Sequence, residues 1–184
     1  MQEDKQRWNE RYLDNPMPQN VSPLLEKYIA HAKVGQAADI ACGTGRNTHY
    51  LADMGFLVDA IDISDYALER VKKSSTIKKI DTDLDKYNLT PNKYDLIVNI
   101  NYLNRRLVSQ MKEALRSGGV LVFETFIVAH GDFNLPTTNL DYLLRKNELL
   151  HSFIGLDVIY YEEKIDINLK GEKIKVASLV AKKA

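Results

Sequence analysis

Residues 39–47 read Asp39-Ile40-Ala41-Cys42-Gly43-Thr44-Gly45-Arg46-Asn47. An apolar run that is typical of a buried strand precedes them, and the segment that follows has the pattern of an amphipathic helix. Gly43 and Gly45 leave the backbone free to turn sharply and to come close to a ligand. Ligands of open α/β sheets bind beyond the carboxyl ends of the strands. This turn therefore predicts a cofactor site.

The rest of the chain repeats the alternation of strands and helices. Predicted strands cover residues 37–41, 57–61, 77–80, 96–100 and 120–126, and predicted helices cover residues 47–54, 64–74, 104–116 and 140–151. Such units indicate parallel strands joined by right-handed crossovers. Two β-rich runs, 156–161 and 173–181, predict a C-terminal antiparallel hairpin. We expect an α/β fold of the doubly wound class, with a mostly parallel seven-stranded sheet and helices on both faces.

The first 33 residues differ in pattern from this alternation. Residues 3–13 predict a short helix with Trp8 and Tyr12 on one face, because they are four positions apart. After a cluster of prolines, Ser22 begins a second helix that runs to about residue 31. We expect residues 1–184 to form one domain in which residues 1–33 are a helical lid or cap. Core packing of the Trp8–Tyr12 pair is the alternative.

Composition excludes several classes of protein. The 184 residues suit one domain, and 25 Lys and Arg balance 25 Asp and Glu, so no excess of positive charge favours nucleic acid. A single cysteine excludes an intrachain disulfide or a cysteine zinc cluster, and the four histidines lack the spacing of a metal site. No apolar run predicts a signal peptide or membrane span. We expect a cytoplasmic monomer or homodimer that acts on a small molecule.

Two acidic positions follow later predicted strands. Asp62 ends the second strand nineteen positions beyond Gly43, and a carboxylate there can accept both hydroxyls of a ribose. Its alternative role is to cap the next helix, for which Ser64 is better suited. Asp83 follows the third strand and could accept a hydrogen bond from an adenine amino group. An ordinary polar loop is the alternative there.

The glycine loop alone leaves open a dinucleotide or another nucleoside cofactor. Dinucleotide sites prefer a small residue at the sixth place of G-x-G-x-x-G, which allows the helix to pack closely around a pyrophosphate. Here that place holds Thr48. The broken pattern disfavours a nicotinamide dinucleotide.

The sequence from Asp39 to Asn47 resembles the first motif of class I S-adenosylmethionine-dependent methyltransferases. With Arg46 and Asn47 it is similar to the tellurite-resistance B group of small methyltransferases. The resemblance extends over most of the chain, including residues 94–98, 101–103 and 142–145. Ala41 departs from the pattern, because a glycine usually opens this loop.

The resemblance implies S-adenosyl-L-methionine as cofactor and S-adenosyl-L-homocysteine as its product. It also implies a role for each residue of the site. The methionine portion would contact the loop residues Asp39, Ala41, Cys42, Gly43, Thr44, Gly45 and Arg46; the ribose would contact Asp62, the adenine would contact Ile63, Asp83 and Leu84, and the sulfonium would lie near Asn99.

No catalytic group is assigned from the sequence. Methyl transfer from a sulfonium is an in-line displacement with an uncharged leaving group, so alignment and water exclusion matter more than a strong acid. A thiolate or a chalcogen oxyanion such as tellurite would need no base. The absence of an Asn-Pro-Pro-Tyr sequence after the fourth strand disfavours amino methylation of adenine or glutamine. Candidate substrate contacts are Tyr12, Asn101, Tyr102 and His130, with a plain loop role as the alternative for His130.

Two other functions remain open. Tyr142 and Lys146 form the Tyr-x-x-x-Lys string of a short-chain NAD(P)-dependent reductase, although only 38 residues follow Lys146. A non-catalytic module that binds S-adenosylmethionine would share the fold. Binding of reduced nicotinamides would indicate the reductase. Tight binding of the adenosyl ligands without turnover would indicate the module.

Overall fold

The computed structural model describes residues 2–14, 17–129, 131, 133–135, 137 and 139–184. Within these residues seven strands form one sheet: β1 (Gln36–Ile40), β2 (Leu57–Asp62), β3 (Ile77–Asp81), β4 (Tyr94–Ile100), β5 (Leu115–Phe126), β6 (Asp157–Ile167) and β7 (Lys173–Lys182). The order across the sheet is β3-β2-β1-β4-β5-β7-β6. Strands β1 to β5 are parallel, and β7 is antiparallel to both of its neighbours. The predicted doubly wound sheet with a C-terminal hairpin is confirmed.

Helices cover both faces of the sheet. They are α1 (Gln2–Asp14), α2 (Pro23–Tyr28), α3 (Arg46–Asp53), α4 (Asp65–Arg70), α5 (Leu107–Ala114) and α6 (Glu148–Ser152). On one face α2 and α3 bury Leu25 and Leu51 against the strands, and on the other face α5 and α6 bury Met111 and Leu149. The strands between these layers are apolar on both sides, which explains the continuous hydrophobic runs in the sequence.

Two predicted helices are shorter than the sequence pattern indicated. The predicted helix 64–74 ends at Arg70, because the buried Val71 takes an extended backbone and the N–H of Lys72 donates to His49 Nε2. The predicted helix 104–116 is confined to α5, and its last residues belong to β5.

The prediction of one helix over residues 140–151 is wrong. The structure has a 3-10 turn at Leu140–Tyr142, then extended backbone, and then α6. Leu143 and Leu144 are buried, and Leu144 pairs beside the end of β5 through hydrogen bonds with Phe126 and Val128. An extended backbone is needed for that pairing. The tertiary contact therefore overrides the local helical pattern.

The strand order reverses between β1 and β4. The loop from Ala41 to Gly45 lies at the carboxyl end of β1, beside this reversal. That is the edge at which doubly wound sheets bind their ligands. No helix in the part of the chain that the structure describes is long and apolar enough to span a membrane.

Candidate cofactor site

The loop between β1 and α3 has three residues in the left-handed region, at Ala41 (φ 52°), Gly43 (φ 56°) and Gly45 (φ 87°). The loop is also held to the neighbouring strand, since the N–H of Cys42 donates to the carbonyl of Ile61 at 3.0 Å. The glycines adopt this conformation without steric cost, whereas the Cβ of Ala41 opposes it. The sharp turn predicted from the two glycines is present.

The conformation of Ala41 leads to a first prediction. We expect Ala41→Gly to raise the free energy of unfolding by about 0.5–1 kcal/mol, because glycine relieves the left-handed strain. Urea unfolding of both proteins measures the change. Ala52→Gly in α3 is the matched control, for which we expect a loss of about 1 kcal/mol. Equal destabilisation by both substitutions would contradict the strain at Ala41.

Asp39 lies at the carboxyl end of β1 and is buried. The hydroxyl of Thr48 donates to its Oδ2 at 2.6 Å. Burial raises the pKa of Asp39 to about 7, although this hydrogen bond and the charge of Arg46 act against the rise. Thr48 is the residue that breaks the dinucleotide pattern, and its hydroxyl is used to hold this carboxyl group.

The raised pKa of Asp39 predicts how stability changes with pH. An acid whose folded-state pKa is raised contributes stability below its unfolded pKa, near 4, and that contribution is lost as the pH rises to about 7. We expect Asp39→Asn to unfold at a higher temperature than the parent protein at about pH 8, by on the order of 5 °C, and to differ less at about pH 5. Thermal unfolding without ligand measures both.

The pH prediction has a matched control in Thr48→Val. That variant keeps the carboxyl group and removes the hydrogen bond that favours its charged form, so it should lose most stability at the higher pH. Burial also raises the pKa of Asp62, so a smaller pH dependence should persist in Asp39→Asn. An unchanged difference between parent and Asp39→Asn at the two pH values would contradict the assignment.

Asp62 ends β2 and is also buried. Its Oδ2 accepts the N–H of Gly43 at 2.8 Å, and its Oδ1 accepts the N–H of Ser64 at 2.9 Å. Ser64 caps α4, since its hydroxyl accepts the N–H of Ala67 at 3.0 Å. Asp62 is therefore the anchor of the glycine loop. A carboxylate has about four acceptor positions, so positions remain after these two bonds.

Tyr12 lies directly over the loop. A methyl group added at Gly43 would come within 2.8 Å of the Tyr12 hydroxyl oxygen. Burial raises the pKa of the Tyr12 phenol well above the ordinary range, and the charge of the nearby Asp62 adds to the rise. The Trp8 ring is 6.0 Å from the Tyr12 ring, so the predicted pair is formed.

The helix that carries Tyr12 is fastened across the ends of β2 and β3. Asn9 donates to Asp65 at 2.7 Å and accepts from the Ser64 hydroxyl at 2.6 Å. Lys5 Nζ lies 2.7 Å from Asp81 and 3.0 Å from Asp65. Helix α1 thus covers the same sheet edge that carries Asp62.

Asn99, near the end of β4, is fully buried. Its Nδ2 donates to the carbonyl of Tyr102 at 2.7 Å, whereas its Oδ1 has no hydrogen-bond partner among the described residues. Asn99 is in register with Ile40, immediately before the glycine loop. A buried acceptor without a donor is costly unless a ligand supplies one. An N–H group of a bound cofactor would satisfy this oxygen, so the residues here fit a cofactor that carries such groups.

The residues predicted to contact adenine lie near the ends of β2 and β3. Ile63 is half-buried beside Asp62, and Leu84 is buried. Asp83 Oδ1 accepts the N–H of Asp85 at 2.9 Å, so this carboxylate also stabilises its own turn. Their roles toward adenine stay predictions.

The predicted substrate contacts are partly at this edge. Asn101 is exposed in the left-handed conformation (φ 61°) directly after β4. Tyr102 is half-buried, its hydroxyl accepts from Asn104 at 3.3 Å, and burial raises its pKa to about 12. His130 lies outside the described residues. These contacts stay predictions.

Glu124 is a residue of this edge that the sequence analysis does not identify. It lies in β5, directly opposite Ile100 of the neighbouring strand β4, and its side chain is 13% exposed. Its charge acts on Arg46, whose pKa is lowered by burial and raised by Asp39 and Glu124. The available signal was a single charged residue within the apolar run of residues 120–126.

Comparison with known proteins gives matches to methyltransferases. The family model described as "Methyltransferase domain" matches residues 37–119. The "Probable S-adenosyl-L-methionine-dependent methyltransferase TehB" of Haemophilus influenzae is 27% identical in an alignment that covers 85% of this chain and 59% of that protein. The chain thus spans about three-fifths of the length of the curated TehB relatives it matches.

Two solved structures share the fold. The crystal structure of TehB from Haemophilus influenzae superposes with a TM-score of 0.75 at 20% identity, over 98% of this chain and 67% of that chain. A SAM-dependent methyltransferase of Methanosarcina mazei superposes with a TM-score of 0.68 at 16% identity, over 89% of this chain and 98% of that chain. The chain is therefore similar in sequence to S-adenosylmethionine-dependent methyltransferases such as the TehB proteins, and it shares their fold.

Proposed function

We propose that this protein transfers a methyl group from S-adenosyl-L-methionine to a small-molecule acceptor and releases S-adenosyl-L-homocysteine. The observation that carries the proposal is the pair of buried carboxyl groups, Asp39 and Asp62, on either side of the loop at Gly43. The unpartnered Oδ1 of Asn99, near the carboxyl end of the adjacent strand β4, supports it. When bound, the cofactor supplies an electrophilic methyl group on a sulfonium.

The residues of the chain would hold the cofactor by its three parts. Asp39, the loop backbone and Arg46 would hold the amino-acid end, Asp62 the ribose, and Ile63, Asp83 and Leu84 the adenine. Their work is to orient the reacting groups and to exclude water, because an in-line displacement gains most from alignment. Thr48 contributes by holding Asp39 in one position.

Helix α1 acts as the lid in this proposal. Its Tyr12 hydroxyl lies over Gly43 and near Asp62, where it would compete with a ribose hydroxyl for that carboxylate. The contacts of Lys5 and Asn9 keep the helix over this edge. Tyr12 would then move aside as the ribose binds Asp62, and α1 would cover the loaded site.

The acceptor is proposed to be a thiol or a chalcogen oxyanion such as tellurite, since the chain is similar to TehB. A cytoplasmic location and a monomeric or dimeric state belong to the same proposal. The single cysteine, Cys42, is buried and free, which suits a reducing compartment.

Calorimetry with S-adenosylmethionine, S-adenosylhomocysteine, NADH and NADPH tests the cofactor. We expect both adenosyl ligands to bind and both nicotinamides to fail. The opposite pattern would support the reductase. Formation of S-adenosylhomocysteine with a panel of thiols, selenite and tellurite then tests turnover, and tight binding without turnover on any acceptor would favour a binding module.

A further inference from the structure

The side chains of Glu124, Ser178 and Glu162 lie in one row across three strands. Glu124 of β5 is directly opposite Ser178 of β7, which is opposite Glu162 of β6. The row faces the same side of the sheet as Val122 and Val180, which are packed in the core beneath α2 and α3. On β5 the row lies two residues nearer the carboxyl end of the strand than Val122.

Helix α2 covers the preceding row but not this one. The ring of Tyr28 in α2 stacks on Tyr160 of β6 with 5.1 Å between the ring centres. Tyr160 is opposite Val180, and it precedes Glu162, the member of the row on β6, by two residues. Glu162 is exposed, whereas Glu124 is mostly covered. The row therefore runs from solvent at β6 to a sheltered carboxylate at β5.

Glu124 lies beside the proposed cofactor site. Asp39 faces α3 through Thr48, on the same face of the sheet as Glu124. Only β4 separates their strands, which places the two strands about 10 Å apart. The charges of Asp39 and Glu124 both act to raise the pKa of Arg46. Glu124 is thus next to the end of the site that would hold the methionine portion.

The contacts of Glu124 occupy one of its two oxygens. The Ser178 hydroxyl donates to Oε2, and Lys164 Nζ lies 3.5 Å from the same atom. Among the described residues no hydrogen bond reaches Oε1. The Lys164 distance is longer than that of a strong charged pair. A sheltered carboxylate with one free oxygen is suited to a ligand that donates a proton or carries positive charge.

We propose that Glu124 Oε1 binds the proton-bearing nitrogen or sulfur of the methyl acceptor, so that the acceptor is a small amine or thiol rather than a chalcogen oxyanion. This inference rests on the proposed function and narrows its substrate class. An oxyanion at this position would meet the like charge of Glu124, which opposes its binding.

The test is calorimetric titration of cysteamine, and separately of selenite, into protein saturated with S-adenosylhomocysteine. We expect cysteamine to bind more tightly than selenite. Glu124→Gln should weaken cysteamine by roughly tenfold or more, because one charge-assisted hydrogen bond is lost. Glu162→Gln is the matched control in the same row and should change cysteamine affinity by less than about twofold.

A reciprocal variant covers the case in which Glu124→Gln folds poorly. Lys164→Met removes the cation that competes for Glu124, so cysteamine should bind about two- to fivefold more tightly. The inference is overturned if cysteamine does not bind, if selenite binds more tightly, or if the Gln variants at 124 and 162 behave alike. Failure of S-adenosylhomocysteine itself to bind would instead overturn the proposed function, and the inference with it.

Discussion

Asp62→Ala should weaken the binding of S-adenosylmethionine by roughly 100-fold, because each hydrogen bond to a charged group contributes about 1.5–3 kcal/mol. The substitution removes the acceptor proposed for the ribose. It also releases the N–H groups of Gly43 and Ser64, so the loop that approaches the cofactor loses its anchor. Both effects act in the same direction. Titration calorimetry of the two proteins measures the loss.

Two controls distinguish the loss of a contact with the ligand from a disturbance of the glycine loop. Asp62→Asn keeps a carbonyl oxygen for one of the two backbone N–H groups, so it should disturb the loop less than Asp62→Ala and still bind the cofactor more weakly than the parent protein. Asp157→Asn removes an exposed carboxylate at the start of β6, at the edge of the sheet, and should leave the affinity unchanged. Unchanged affinity in Asp62→Ala would overturn the assignment of the ribose to this residue.

Tyr12→Phe should tighten the binding of S-adenosylmethionine by roughly tenfold. In the proposed lid, the phenol hydroxyl competes with the ribose for Asp62 and so opposes cofactor binding. Without it, less free energy is needed to open the site. The variant should also unfold at a lower temperature in the absence of ligand and show a larger thermal shift when the cofactor is added.

Tyr28→Phe is the matched control for Tyr12→Phe. Its ring packs on Tyr160 on the α2 side of the sheet, so removal of its hydroxyl should not alter cofactor affinity. If Tyr12→Phe binds the cofactor more weakly than the parent protein, Tyr12 supports the bound state rather than the closed one. That result would overturn the competition at Asp62 and favour the ligand contact predicted from the sequence.

The proposed lid and the proposed acceptor contact predict separate effects, one on cofactor affinity and the other on acceptor affinity. The Tyr12 substitution should act on cofactor affinity and leave acceptor affinity in the saturated enzyme unchanged. Substitution of Glu124 should do the reverse, since Glu124 lies on the far side of β4 from Asp39. Measured together, the two variants show whether cofactor binding and acceptor selection are independent in this fold.

The chain order of strands and helices, the turn at Gly43 and the positions of Asp39 and Asp62 were predictable from the sequence. Each depends on neighbours along the chain: a buried parallel strand is apolar on both sides, and glycine is the residue that allows a sharp left-handed turn. The carboxyl ends of parallel strands meet at one edge, so an acid at the end of each strand predicts a common site.

Only the tertiary structure showed that Tyr12 lies over Gly43, that Thr48 holds Asp39, that residues 143–144 are extended beside β5, and that Glu124 lies in one row with residues of β6 and β7. These contacts join segments that are distant in sequence. Their partners are chosen by packing and by the order of strands in the sheet, and neither leaves a periodic pattern in the amino acids. Local sequence sets which elements form, whereas the free energy of burying them together sets which side chains meet.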